Sequence, residues 1–574
     1  MVYKRPLLML LMLFVCKTFT YAQKVLPENY FRSPLDINLV VTGTFGELRP
    51  DHFHSGIDFA TQNKLNANVY CVADGYVSRI KVSPGGYGKV LYITHPNGFV
   101  SVYAHLNEFN VVIEDYVKLK QYEKKSFEIE IFPNPALFKF KKGDIAGYSG
   151  NSGSSSGPHL HFEIRNEITE RPFNPLFFGI NPSDKESPVI SEVCLYPVFP
   201  NSIVNEGHQK ICLDAVKKEN RYCLKTNDTI SLSGGIAFGI ETSDRQNLPG
   251  NSGIYSLEIF IDNHLFYKIS FDSIDFDEGR YINTLIDYPE YVINRKKIIQ
   301  TYITRGNRLN IYAESENRGV YYFNDTLLHK ISMIASDFYK NKASIEFTVK
   351  SAVPEISEQA AVENKLPLFR YGLKNHFEAE NMLLDMPSDA LYDSIYFEYS
   401  TMAKTKYCYS KIHQIHHKFV PLHNYITLSI KPDTVVSENL KPKLTLACIA
   451  GTNFSFIKSK WENGYLSASV RKFGDYAIVA DTVAPTVKPM ANYNNMRVNP
   501  EGSISFKISD NFSGIGTYNL SINGVWVLAA YDAKNDLLTY KVDSNHFSSG
   551  KNVMELVVTD KINNKSTYNA VLIK

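Results

Sequence analysis

Apolar and polar positions alternate along most of this chain, and a period of two is the signature of strands rather than helices. Val90 to Thr94 runs through Pro96, Asn97 and Gly98 into Phe99 to His105, which predicts two antiparallel strands and a turn. Val69 to Ala73 runs through Asp74 and Gly75 into Tyr76 to Val82, and the same rule predicts a hairpin there. Farther on, Leu160, Phe162 and Ile164 interleave with His159, His161 and Glu163. A strand here packs the first set and displays the second on its other face. No helical period of useful length interrupts the stretch from Leu35 to about Phe178, so a β-sheet or partly closed barrel is expected.

Beyond Pro182 one pattern occurs twice. Gly253 to Asp262 followed by a turn is matched by Ser513 to Gly524, and Ile331 to Asp337 before Asn341 is matched by Leu556 to Asp560 before Asn564. Two copies of one β-sandwich unit account for this, similar in pattern to immunoglobulin-like domains of exported bacterial proteins. The expected class is therefore all-β. Its parts are a leading unit over 23–180, a sandwich over 183–350, a β-rich middle unit over 351–484 and a second sandwich over 485–574. No second catalytic constellation stands out in the last three units, which read as spacers holding the first off a surface.

At 574 residues the chain is too long for one core, in keeping with that division. A net charge of +2, with lysines alternating with acids, argues against a nucleic-acid partner. Lys4 and Arg5 precede an apolar run ending at Cys16, and Thr20-Tyr21-Ala22 offers a cleavage site, so residues 1–22 read as a signal peptide. Export to a periplasm, cell envelope or exterior follows. Lipid anchoring at Cys16 wants a small residue before the cysteine and finds Val15. No later run reaches the ~18 apolar residues of a transmembrane segment. Six cysteines remain, scattered and without a CxxC pair; they read either as separate buried thiols or as holding a local disulfide, for which Cys212 with Cys223 is the best-spaced pair.

Candidate chemistry gathers in the first unit. His159 and His161 stand on one strand face, with backbones roughly 7 Å apart at ~3.3 Å per residue, and both can lean toward one ion. His54 and Asp58, four apart around Gly56, offer one nitrogen and one oxygen donor of the kind zinc accepts. His105 closes an apolar strand, a position where a histidine is usually only half-buried. Together these supply three ligands, an open fourth position and a base, the parts of a metal-assisted hydrolase. Gly153-Ser154-Ser155-Ser156-Gly157 fits G-x-S-x-G, but Pro158 and a strand follow where a nucleophile elbow needs a helix. His413, His416, His417 and His423 cluster without a carboxylate or cysteine at ligand spacing.

The text Phe53-His54-Ser55-Gly56-Ile57-Asp58, Ala73-Asp74-Gly75-Tyr76-Val77, Gly86-Tyr87-Gly88, Tyr103-Ala104-His105-Leu106, Lys142 to Gly147 and Gly157 to Arg165 resembles the lysostaphin and LytM-type zinc endopeptidases, whose fold is the duplicated hybrid motif. The resemblance covers about residues 38 to 178. It implies one Zn2+ per chain held by His54, Asp58 and His161, with His105 and His159 as catalytic histidines. His159 would take a proton from the activated water and His105 would donate a hydrogen bond to the developing oxyanion or to that water, roles that could be exchanged or shared. The implied activity is hydrolysis of peptide cross-links in bacterial peptidoglycan. The rival is an inactive relative that binds peptidoglycan or activates an amidase. Envelope proteins are the implied partners of the C-terminal β units. The family has a short connection where this chain has Asn107 to Phe140, an insertion that either walls the substrate groove or points away as a decorated hairpin.

Overall fold

The computed structural model describes residues 29–574 apart from 63, 181, 220, 227, 246–251 and 355–364. The expected signal peptide and Cys16 lie outside the described residues. The architecture is all-β, and the first unit is built on one long antiparallel sheet. Its strands are β1 (Val41–Gly43), β2 (Ile57–Ala60), β3 (Asn68–Tyr70), β4 (Gly75–Val82), β5 (Lys89–Thr94), β6 (Phe99–Leu106), β7 (Glu108–Phe109), β8 (Ile129–Ile131), β9 (Lys139–Phe140), β10 (Ile145–Tyr148) and β11 (His159–Asn166). The main sheet runs β1-β2-β11-β6-β5-β4-β8, and β3-β10-β7 form a small second sheet.

The meander β4-β5-β6 forms as the alternation predicts. The hairpin from Val69 to Val82 does not, because β3 pairs with β10 instead of β4. Between them Cys71 exchanges backbone hydrogen bonds with Asp144 and Gly143, which draws the segment across to the small sheet. The insertion is neither hairpin nor loop alone. It contains a helix, α1 (Val111–Lys124), capped by the Asn110 side chain and burying Ile113, Val117 and Gln121.

Two later units share one strand order. In the first, His264–Ser270, Ser256–Ile261, Leu328–Ser336 and Lys342–Ala352 lie side by side. In the last, the order is Val525–Val527, Ile515–Ile522, Lys551–Asp560 and Lys565–Ile573. Each final strand then pairs in parallel with an earlier one, Ile230–Ser243 or Met496–Arg497. The same turn closes the third strand in both: Asp337 accepts from the backbone and side chain of Asn341, and Asp560 from those of Asn564. The middle unit stacks two five-stranded sheets around Leu384, Leu428 and Ile478.

The disulfide joins Cys194 to Cys212, not Cys212 to Cys223. Those two cysteines are cross-strand neighbours in register, whereas Cys223 faces Val216. The first sandwich is no detached spacer either, because a single hydrophobic core runs from the long sheet into it. Phe53 packs on Phe271 with ring centroids 6.0 Å apart, beside the loop that carries His54.

Candidate metal centre and active site

Strand register brings the first two donors together, since His161 on β11 lies directly opposite Asp58 on β2. His54 enters from the loop before β2. That loop can lie close under β11 only because residue 56 is glycine: a Cβ there would sit 2.4 Å from the Phe162 carbonyl oxygen. His54 Nε2 is 3.1 Å from Asp58 Oδ1 and 3.0 Å from His161 Nδ1, and His161 Nδ1 is 2.8 Å from Asp58 Oδ1. Donors around a tetrahedral zinc with ~2.0–2.1 Å bonds sit about 3.3 Å apart, so small shifts would seat an ion.

Hydrogen bonds behind each donor fix which atom faces the centre. His54 Nδ1 donates to the Thr44 carbonyl at 2.8 Å, which leaves Nε2 bare. His161 Nε2 donates to Glu163 Oε1 at 2.7 Å, which leaves Nδ1 bare. Asp58 Oδ2 is held by Arg49 at 3.0 Å, leaving Oδ1. Glu163 is fully buried and also accepts from Ser55 at 2.8 Å, from Tyr87 at 2.5 Å and from Arg165. The Tyr87 ring stacks on His161 with centroids 5.1 Å apart.

The charges agree with a cation site. Burial alone would raise the pKa of Asp58, but His54, His159 and His161 hold it well below the ordinary carboxyl range. Burial alone would lower that of His161, yet hydrogen bonds to Asp58 and Glu163 raise it to about 9. The two carboxylates on either side of His161 thus favour positive charge within the trio.

His159 and His105 flank this centre, their rings 4.8 Å apart. His159 Nδ1 donates to the Gly157 carbonyl at 2.9 Å with Ser155 Oγ at 3.1 Å, so Nε2 is bare and lies 3.5 Å from Asp58 Oδ1. His105 Nδ1 donates to the Ser152 carbonyl at 2.9 Å, so its Nε2 is bare as well. Burial, with the histidines 161 and 159 nearby, pushes the His105 pKa down to about 3.

His105 reaches the site by breaking the strand rule. Along β6, Tyr103 faces the core against Phe162, and strict alternation would send His105 the same way. Instead His105 adopts the left-handed conformation, φ 59°, an uncommon one for a side chain with a Cβ. The faces swap there, and Leu106 takes the core position.

All five expected residues thus converge on one centre. Ser155 lies in the loop before β11 and is no nucleophile elbow, but its hydroxyl sits 3.1 Å from His159 Nδ1. Arg49 and Thr44, which orient donors, carried no sequence signal; Glu163 did, on the face it shares with His161. The histidine cluster spreads instead over separate contacts, two inside the middle unit and one to the first sandwich. His413 bonds Tyr399, His416 stacks on Phe397 and His423 on Tyr281.

The buried trio of His54, Asp58 and His161, with two further histidines beside it, is a donor set that could hold a metal ion. Comparison with known proteins agrees: residues 52–122 match the family described as Peptidase family M23, and residues 367–481 match a Zu5-like domain. The first unit is an M23 peptidase domain. The DD-carboxypeptidase/endopeptidase Mpg of Neisseria meningitidis serogroup B is 32% identical over 123 residues, 21% of this chain and 22% of that protein. An uncharacterized metalloprotease of Haemophilus influenzae is 30% identical over 162 residues, 27% of this chain and 28% of that protein. The peptidoglycan DD-endopeptidase ShyA of Vibrio cholerae is 29% identical over 123 residues, 21% and 22% of the two chains. The chain therefore spans only about a quarter of the length of these relatives. Among solved structures, the lysostaphin catalytic domain of Staphylococcus simulans is 22% identical, with 25% of this chain and 92% of that one covered and a TM-score of 0.19.

Proposed function

We propose that this protein is an exported zinc endopeptidase that hydrolyses peptide cross-links of bacterial peptidoglycan. The observation that carries the proposal is the set of three bare donor atoms, His54 Nε2, Asp58 Oδ1 and His161 Nδ1, each held from behind. Two nitrogens and one oxygen in a buried pocket suit zinc, and they leave its fourth position open. Bound there, zinc would supply Lewis acidity, polarising a carbonyl and lowering the pKa of a water.

The two flanking histidines then do the proton work. Both present a bare Nε2, so both are acceptors in the neutral form. His159, the more accessible, takes the proton of the attacking water and returns it to the leaving amine. His105 is kept neutral by its burial and accepts a hydrogen bond from that water. To donate to an oxyanion it would first have to become an imidazolium, which its buried position opposes. Of the roles that the two histidines could exchange or share, the acceptor is the one proposed for His105.

The substrate rests on relatives named for DD-endopeptidase activity and on the site chemistry. Peptidoglycan lies outside the cytoplasm, which agrees with reading residues 1–22 as a signal peptide. No described helix is long and apolar enough to cross a membrane. A binding-only relative would be expected to have lost a donor, and none of the five residues is missing. Purified peptidoglycan incubated with the zinc-loaded chain should release shorter cross-link peptides, and mass spectrometry of the new termini names the bond. An unchanged fragment pattern would overturn the proposal.

A further inference from the structure

Both flanking histidines lean on one loop. Ser152 supplies the carbonyl that holds His105 Nδ1, while Ser155 and Gly157 hold His159 Nδ1. This loop joins β10 to β11 with no regular secondary structure. It is tied to its own unit through Ser154, which bonds Gly86 in both directions, and through Ser152 Oγ, which bonds Lys89 and Leu106. Its outward carbonyls have a partner from far along the chain. Lys534, on the turn Ala533–Asn535 of the last sandwich, donates from Nζ to the carbonyl of Asn151 and to that of Ser155 at 3.1 Å.

The contact belongs to a larger docking. Tyr122 of α1 packs edge-on against Trp526 and stacks on His546, both at 5.5 Å between centroids. Lys118 lies 3.8 Å from Asp543, and Lys541 lies 3.6 Å from Glu108. The insertion is therefore the seat on which the last sandwich rests, and that seat delivers Lys534 to the loop.

We propose, resting on the peptidase reading above, that Lys534 is a positioning residue for the reaction. From the last sandwich it fixes the Asn151–Gly157 loop, and through that loop the orientation of His105 and His159. A lysine suits the task because an ammonium carries three donors and no acceptor, and so bridges two carbonyls. Nothing from the last sandwich donates to His54, Asp58 or His161 among the described residues, so the contact orients the histidines without competing for the metal donors.

The test uses the full zinc-loaded chain and a cross-linked muropeptide dimer as substrate. Lys534→Ala should lower kcat about tenfold, leave KM within about twofold and leave zinc content unchanged. Lys534→Arg, which keeps a cation with several donors, should restore most of the turnover. Trp526→Ala, which removes the ring packed on Tyr122 of α1, should reproduce the loss by undocking the sandwich, and adding Lys534→Ala to it should cost little more. Amide hydrogen exchange should quicken at residues 150–157 in each deficient variant. An active wild type with Lys534→Ala unchanged overturns the proposal alone. Faster turnover in Lys534→Ala overturns it too, and would make the last sandwich a brake. A wild type that binds zinc and leaves the dimer intact overturns the peptidase reading and takes this proposal with it.

Discussion

The first and last sandwiches share a strand order and a closing turn, yet they meet the peptidase unit in opposite ways. The first is fused to it: one core runs through both, with Phe271 set against Phe53 and beneath Gly46. It also supports the metal side of the site, since the Thr44 hydroxyl bonds Gly253 while the Thr44 carbonyl holds His54. Arg165, which pairs with the buried Glu163, lies over the Phe276 ring at 4.5 Å. The last sandwich touches the opposite flank through a few aromatic and charged contacts. One fold thus meets the first unit through a continuous apolar core on one flank and through half-buried aromatic and charged contacts on the other.

Loss of a metal donor should have the largest effect. His54→Ala should abolish zinc binding and lower turnover by at least about a thousandfold, as expected when a metal-assisted step loses its ion. Equal zinc content in the variant and wild type would remove His54 from the ligand set. Next comes Phe271→Ala, which empties a fully buried site at the fused interface. It should destabilise the chain by about 3–5 kcal/mol and weaken zinc binding through the His54 loop. Trp526→Ala on the other flank should barely move the melting temperature. If the two variants lose equal stability in denaturant titrations, the contrast between the flanks is wrong.

A pH series sharpens the metal side. In the metal-free protein His161 has a pKa of about 9, above its ordinary 6.5. Its contribution to stability is complete below about pH 6.5 and is lost as pH rises through 9. Zinc must displace that proton, so its affinity climbs over the same window. The melting-temperature difference between zinc-loaded and EDTA-treated chain should therefore widen from pH 6 to pH 9. A constant difference would mean that His161 does not exchange a proton for the ion. The smallest expected effect is that of salt on the last sandwich. Raising ionic strength should speed hydrogen exchange at residues 150–157 more than around Phe53 and Phe271, because the fused flank adds a continuous buried apolar core to its ion pairs Arg171–Asp275 and Arg280–Asp51.

Much of this arrangement was legible in the sequence wherever strands keep their period. β4 to β6 and β11 follow from alternation, and so does the shared face of His159, His161 and Glu163. His105 was readable only through the motif Tyr103-Ala104-His105-Leu106, because a left-handed residue reverses the alternation there. α1 escaped notice because its buried stripe is only three residues, with Val111, Val112 and Leu119 exposed around it. Its end carries no glycine either, since Lys125 takes the left-handed cap. The disulfide depended on which strands lie side by side, and spacing along the chain does not encode that. The reach of Lys534 to a loop almost four hundred positions earlier depends on how whole units dock, which no local pattern carries.

In the proposed mechanism a zinc ion on His54, Asp58 and His161 makes the chain a hydrolase whose proton transfers use His159. That mechanism is tested most directly by measuring zinc content and muropeptide cleavage together in wild type, EDTA-treated wild type and His159→Ala. Wild type and His159→Ala should both hold about one zinc per chain, with cleavage only in wild type and restored to the EDTA-treated protein by zinc. Undiminished cleavage by the EDTA-treated chain, or by His159→Ala, would contradict it.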